Sequence, residues 1–262
     1  SRGLGDVYKR QSYLRGGLFT VAHKKDFDRL IFDRRPQNWS ELRLAWARLP
    51  HGSQLTRLVL RRGEHIEGSG DDLRTFFFQL KNAPESIPRG ALGREFPGDD
   101  YTSYGCQPGV SYMLCLRVVP MGDLNAVDVA QETHKQLLEL FGCMDPENLL
   151  VYGLPFPGSK VFEGLYIDDH IVLAIIPDNG DRPGLDLDII ESSHRAYAHY
   201  QLPLSTEKAF GLSRPGAVSG DTDFVAWGTE VLGRLGVVSA PTSKLAHLFL
   251  LVGKWAAFRY TS

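Results

Sequence analysis

Cysteine is scarce in this chain: three residues among 262, at positions 106, 115 and 143, with no C-x-x-C pair. An odd, scattered count argues against a disulfide framework and against a cysteine-based zinc site. A reducing intracellular compartment, cytoplasmic or nuclear, is therefore expected. Long apolar runs are also missing. Stretches such as Ile171–Pro177 fall far short of the ~20 residues that cross a bilayer, so no membrane partner is expected. Nothing reads as a secretory signal, and there is no internal repeat or low-complexity segment. No Gly-x-Ser-x-Gly element supports a serine hydrolase. Gly153–Lys160 imitates a phosphate-binding loop but has its Ser and Lys in the wrong order. A net charge of -2 gives no hint of a polyanionic partner.

What remains is an ordinary globular composition, 43% hydrophobic and 23% charged, long enough for one large domain or two small ones. The charge is unevenly spread. Residues 12–94 carry 15 Lys/Arg against 9 Asp/Glu, and residues 95–200 carry 5 against 17. That fits a protein that grips phosphates in one place and collects cations in another; an uneven solvated surface is the alternative. Ser1–Gln11 reads as the in-frame translation of a sequencing-library adapter. It is expected to be non-native and disordered, with the native N-terminus missing, and is set aside.

Gly17–Ala22 and Asp28–Phe32 read as a hairpin with a charged tip, ended by Pro36. Trp39–Ala47 has the spacing of a short helix with Ser40 as N-cap. A strand over residues 65–72 leads to a helix start at Thr75–Leu80, and Pro84–Thr102 reads as loop. Val110–Val119 reads as a strand, Asn125–Phe141 as a helix and Leu149–Leu154 as an edge strand. Phe162–Ile167 and His170–Ile176 flank Asp168-Asp169 as a tight hairpin. A helix over Leu187–His199, a hairpin of Phe224–Trp227 with Leu235–Val238 around Gly233, and a helix over Ser243–Phe258 complete the chain. Strands and helices alternate without a strict βαβ rhythm, which predicts an α+β fold.

Acid pairs inside apolar strands are the informative feature. Asp168 and Asp169 lie between Leu165-Tyr166-Ile167 and Ile171-Val172-Leu173, and Asp71-Asp72 precede Leu73 and Phe76-Phe77-Phe78. Clustered carboxylates repel one another unless a cation neutralises them. A hard ion such as Mg2+ suits such a set, and two of them would support in-line phosphoryl transfer. A solvated turn is the alternative for the Asp168-Asp169 pair taken alone.

In this context the chain resembles the reverse transcriptase family over about 200 residues. Tyr166-Ile167-Asp168-Asp169 is similar to its YxDD signature, and Asp72 to Phe78 resembles its first catalytic-aspartate segment. Val119-Pro120-Met121-Gly122 with Asn125-Ala126 resembles its Pro-x-Gly segment. Lys24-Lys25-Asp26 and Arg29 to Asn38 resemble its fingers segment. Lys208 and Trp227-Gly228 fall where the family has a lysine segment and the hairpin that grips the primer.

The resemblance implies a right-hand polymerase with fingers and palm, an antiparallel palm sheet backed by helices, and a truncated thumb. Fingers would cover 12–68 and 83–119, palm 69–82 and 120–240, and the start of the connection or thumb 241–262. It implies an RNA-directed DNA polymerase of a retroelement that binds a primed RNA or DNA template and dNTPs. Two Mg2+ ions would be the cofactor, with Mn2+ able to substitute. Asp72 and Asp168 would be the main metal ligands, supported by Asp169, with Leu73 counted among the metal and dNTP contacts. Lys24, Arg29, Met121 and Gly122 would meet the nucleotide, Phe77 would act as steric gate, and Lys208 would serve the departing pyrophosphate. Tyr166, Trp227 and Gly228 would face primer and template, while Asp33 and Arg35 would pair internally.

The chain departs from retroviral members at Met121, where they carry glutamine, at Asp123 and Asp128, and in a shorter fingers hairpin. A divergent protist-type retrotransposon is therefore favoured. A decayed or domesticated copy that binds nucleic acid without catalysis is the alternative. An RNA-dependent RNA polymerase is a third reading, against which Phe77 argues.

Overall fold

A computed structural model describes residues 15–24 and 27–259. The adapter-like Ser1–Gln11 and the Lys25-Asp26 tip lie outside the described residues. The chain divides into two compact units, one of residues 1–47 with 75–132 and one of residues 48–74 with 133–262.

The first unit contains two ribbons. β1 (Gly17–Lys24) and β2 (Phe27–Asp33) pair antiparallel, as their β-branched and aromatic content predicts. β4 (Ala91–Pro97) pairs antiparallel with β5 (Ser111–Cys115) across a register shift. That first strand lies wholly within Pro84–Thr102, where the composition predicts loop. Its residues are largely exposed and include Gly93 and Pro97, so no apolar alternation marks it.

Two short helices also belong here, α1 (Arg35–Asn38) and α2 (Phe76–Gln79). The helix expected over Trp39–Ala47 does not form: α1 ends before it, and the segment is irregular. Its backbone is satisfied by side chains distant in sequence. Asn125 Oδ1 accepts from Leu44 N at 2.9 Å, Asn125 Nδ2 donates to Leu42 O at 2.9 Å, and Asp128 Oδ1 accepts from Ala47 N at 2.7 Å. Those bonds offer the backbone an alternative to the helical ladder. Arg34 is buried against Glu41 at 2.5 Å and against Asp123.

α3 (Ala126–Glu139) begins in the first unit and ends in the second. The second unit is built on a three-stranded antiparallel sheet in the order β3 (Glu64–Asp72), β7 (Asp169–Pro177), β6 (Val161–Tyr166). Both faces are covered, so the strands are nearly uniformly buried; the central β7 reads as a continuous apolar run, whereas β3 is buried despite carrying mostly polar residues and glycines.

One face carries Ile66, Phe162, Ile171, Leu173 and Ile175, packed with Phe224, Ala226 and Val231. Each fully buried side chain of this kind contributes roughly 1.5–3 kcal/mol. The last three residues come from a second antiparallel sheet, β8 (Asp223–Ala226), β9 (Thr229–Leu232) and β10 (Val237–Ser239). The expected hairpin around Gly233 is thus two successive hairpins. The first turns at Trp227-Gly228, where φ is +47° and +76°, the two-positive pattern of a type I′ turn.

The opposite face of the main sheet lies towards α4 (Leu185–His199), which buries Ile189, Ile190, Ala196 and Tyr197. Leu149–Leu154 makes one isolated bridge, Leu149 with Glu163, rather than a strand. A C-terminal helix, α5 (Thr242–Arg259), follows β10. Among the described residues no helix is long and apolar enough to cross a membrane.

Candidate metal centre

The acids converge at one end of the main sheet. Asp72 is the last residue of β3 and pairs directly with Asp169, the first residue of β7, which in turn pairs with Tyr166. Asp168 sits with Ile167 in the two-residue turn between β6 and β7. Asp72, Asp168 and Asp169 each offer a carboxylate oxygen, and these oxygens lie within 4.8 Å of one another. Strand alternation selects Asp72 for this set and turns Asp71 to the other face, where His194 Nε2 contacts its carboxylate at 3.0 and 3.1 Å.

Like charges held directly across a ladder are unfavourable. Burial, then a hydrogen bond with Asp72 and the charges of Asp168 and Asp72, push the Asp169 carboxyl up to about 7. Burial and the Asp72 charge raise Asp168 as well. Lys208 contacts Asp72 through Nζ. Partial burial pulls the Lys208 ammonium down, but the bond to Asp72 and the three acidic charges outweigh it and hold it above its usual value. Three oxygen ligands and this demand for positive charge fit a metal ion.

The turn itself is strained. Ile167 has φ +59° while Asp168 stays negative, the pattern of a type II′ turn, whose first central residue is normally glycine. A β-branched side chain there costs about 1–2 kcal/mol, and such outliers persist only where the surroundings over-determine them. Two bonds do so: Leu73 N donates to the Asp168 carbonyl at 2.9 Å, and His134 Nδ1 lies 2.8 Å from the Ile167 carbonyl.

The second unit therefore brings together Asp72, Leu73, Tyr166, Asp168, Asp169 and Lys208. Leu73 is a core residue at 1% exposure, while Tyr166 is exposed at the end of β6. Trp227 is half-buried, with its indole packed on β6: a Cβ on Gly164 would lie 2.3 Å from Trp227 Cη2. Gly228 beside it is exposed.

The remaining sequence-derived candidates belong to the first unit. Lys24 closes β1, its side chain outside the described residues, and Arg29 lies on β2. In α2, Phe76 is the buried ring, Phe77 is half-buried and Phe78 is exposed. Met121 is exposed. Gly122 does approach other backbone closely: a Cβ there would meet the Phe32 carbonyl at 2.6 Å, and Asn38 Nδ2 donates to Gly122 O at 2.9 Å. Asp33 and Arg35 pair as expected, through Arg35 Nε at 2.9 Å and Nη2 at 2.6 Å.

Sequence reasoning did not reach the buried polar groups beneath the acids, because residue type alone does not mark a histidine or glutamate as buried. His134, Glu163 and His170 are each 0% exposed. His170 Nε2 lies 2.8 Å from Glu163 Oε1, and Glu163 Oε2 accepts from Met144 N at 2.6 Å. The available signal was His134 itself, three and four residues before Leu137 and Leu138 on the apolar face of α3.

No family model matches the chain, and no curated protein matches it in sequence. Solved structures do. A foamy viral protease-reverse transcriptase, in the form denoted dRH and in complex with double-stranded DNA, superposes with a TM-score of 0.55 at 13% identity, over 87% of this chain and 31% of its own. The foamy viral protease-reverse transcriptase in complex with an RNA/DNA hybrid gives 0.55 at 15% identity, over 87% of this chain and 24% of its own. The chain thus spans about a quarter to a third of these proteins. Its α+β architecture of antiparallel sheets and helices resembles in fold the matching region of these foamy viral protease-reverse transcriptases.

Proposed function

We propose that the chain is the fingers-and-palm portion of a retroelement reverse transcriptase, transferring a nucleotidyl group from a dNTP to a primer 3′-hydroxyl. The observation that carries this reading is the convergence of Asp72, Asp168 and Asp169 within 4.8 Å at one end of an antiparallel sheet, in a fold like that of a foamy viral reverse transcriptase. Two Mg2+ ions, or Mn2+ in their place, would neutralise the entering and leaving oxygens of the phosphoryl group. Asp72 and Asp168 hold them, with Asp169 in support and Leu73 alongside.

Lys208 keeps an ammonium beside the triad for the charge that develops on the departing pyrophosphate. In the first unit, Lys24 and Arg29 receive the triphosphate, Met121 and Gly122 border the nucleotide, and Phe77 lies under the sugar to exclude a 2′-hydroxyl. Tyr166, Trp227 and Gly228 serve the primer and template, Trp227 through the turn it anchors on Gly164. Residues 12–68 and 83–119 are the fingers in this assignment, 69–82 and 120–240 the palm, and 241–262 the beginning of a connection or thumb.

The test is Mg2+-dependent primer extension on an RNA template with dNTPs, beside an Asp168→Asn/Asp169→Asn double variant. Extension by the wild type that the double variant loses is the expected result. A folded wild type that binds template and never extends would refute the reading and favour a decayed or domesticated copy.

A further inference from the structure

Behind the acidic turn lies a buried relay that the proposed chemistry does not use directly. His134, on α3, is fully buried with its ring edge between two partners. Nδ1 lies 2.8 Å from the carbonyl oxygen of Ile167, and Nε2 lies 3.0 Å from the hydroxyl of Tyr197 on α4. A carbonyl oxygen only accepts, so Nδ1 must carry the proton. Burial pushes the His134 ring down to about 3, so the imidazole is neutral and Nε2 is an acceptor. The Tyr197 hydroxyl must then donate to it, and that bond fixes the tautomer. Tyr197 is itself 2% exposed, so the arrangement is shielded from bulk solvent.

The atom at the end of this relay is the carbonyl of the one residue in the turn with positive φ, Ile167. The next carbonyl, that of Asp168, is held from the other side by Leu73 N at 2.9 Å. Consecutive peptide groups are thus fixed from α3 and from the residue that follows β3. The carboxylates of Asp168 and Asp169 leave the backbone immediately beyond them.

We propose that His134 is a positioning residue for the metal centre: its ring, set in one tautomer by Tyr197, fixes the Ile167 peptide and so the direction in which Asp168 and Asp169 present their carboxylates. This rests on the metal-binding reading above, and it assigns a role to two residues that touch neither metal nor nucleotide. Groups that orient metal ligands at one remove typically change metal affinity about 10–100-fold when removed.

The test uses the full chain and Mn2+ as a paramagnetic probe, titrated without nucleic acid, with thermal melting as the check on folding. His134→Leu is expected to weaken Mn2+ binding about 10-fold or more and to lower primer extension with it. His134→Asn is expected to recover most of that binding, because the Asn amide nitrogen can stand where Nδ1 stands. Histidine 15N spectra should show one Nδ1-protonated tautomer for His134 in the wild type. A mixture with severalfold weaker Mn2+ binding is expected in Tyr197→Phe. If His134→Leu does not fold, the tautomer and Mn2+ affinity of Tyr197→Phe decide the matter alone. Folded variants that bind Mn2+ as tightly as the wild type would overturn the positioning role while leaving the metal centre intact. A wild type that binds no Mn2+ would remove the metal centre itself, and this inference with it.

Discussion

Replacing Asp169 by Asn should stabilise the metal-free protein, and the gain should depend on pH in a way the site dictates. In the fold the Asp169 carboxyl is pushed from the ordinary value of 3.8 up to about 7; in the unfolded chain it returns near 3.8. The folded state therefore binds a proton more readily than the unfolded state. Stability is fully present below the unfolded value and is lost as pH rises through the folded one, between about 4 and 7. That interval corresponds to roughly 4 kcal/mol at 1.36 kcal/mol per pH unit. The site is partly open, so screening removes on the order of half, leaving about 2 kcal/mol. Asn carries no charge at any pH and escapes the loss. For a chain of this size, about 2 kcal/mol is a rise in Tm of roughly 4–8 °C.

The assay is thermal melting of wild type and Asp169→Asn in EDTA at pH 8, 6 and 4. The difference should be largest at pH 8, smaller at pH 6 and nearly gone at pH 4. Adding Mg2+ at pH 8 should raise the wild type and leave the variant behind. Equal melting points at pH 8, or a difference that grows towards acid, would refute the electrostatic account of the cluster.

Other consequences can be checked alongside. Gly164→Ala puts a methyl group 2.3 Å from the Trp227 ring, so urea denaturation should show a loss of about 1–3 kcal/mol. His194 is raised by its hydrogen bond to Asp71, against the effect of burial. Its contribution is complete below pH 6.5 and is lost as pH rises through its folded value, so the wild type should lose up to about 1 kcal/mol above pH 6.5 that His194→Gln does not. Phe77→Ala should admit ribonucleotides in primer extension without loss of folding; unchanged sugar selection would remove Phe77 from the role of gate. Asp128→Ala removes the acceptor of Ala47 N and should cost about 1–3 kcal/mol by chemical denaturation, measured against an exposed-site control on the same helix such as Thr133→Ala.

The parts of the fold that were legible in the sequence are those whose signal is local. The β6–β7 hairpin declares itself because two apolar runs bracket two acids, and α3 and α4 do so through their apolar spacing. The triad was legible as three aspartates, though not the strain at Ile167, since φ is not written in residue type. The failures involve partners far away in sequence. Residues 39–47 have a helical pattern, but Asn125 and Asp128 provide about 80 residues downstream the hydrogen bonds a helix would have made. β4 escaped notice because a half-exposed ribbon needs no apolar alternation. His134, Glu163 and His170 were passed over because burial turns a surface-type residue into part of a scaffold, and burial is a property of the assembled sheet.

Along β3, Asp71 and Asp72 are neighbours in sequence that end on opposite sides of one sheet: the first is received by His194, the second faces the acidic turn. Since side chains alternate with a period of two, a one-residue slip of β3 against β7 would exchange these two acids. It would also turn Ile66 away from Phe224 and bring Glu67 and Ser69 into the apolar layer. The core and the chemistry therefore share one phase. Mutations that change residue identity on this strand can be absorbed a position at a time, whereas an inserted or deleted codon turns every residue on one side of it to the opposite face. Descendants of this sequence should accordingly vary in spelling along the strand while keeping its length.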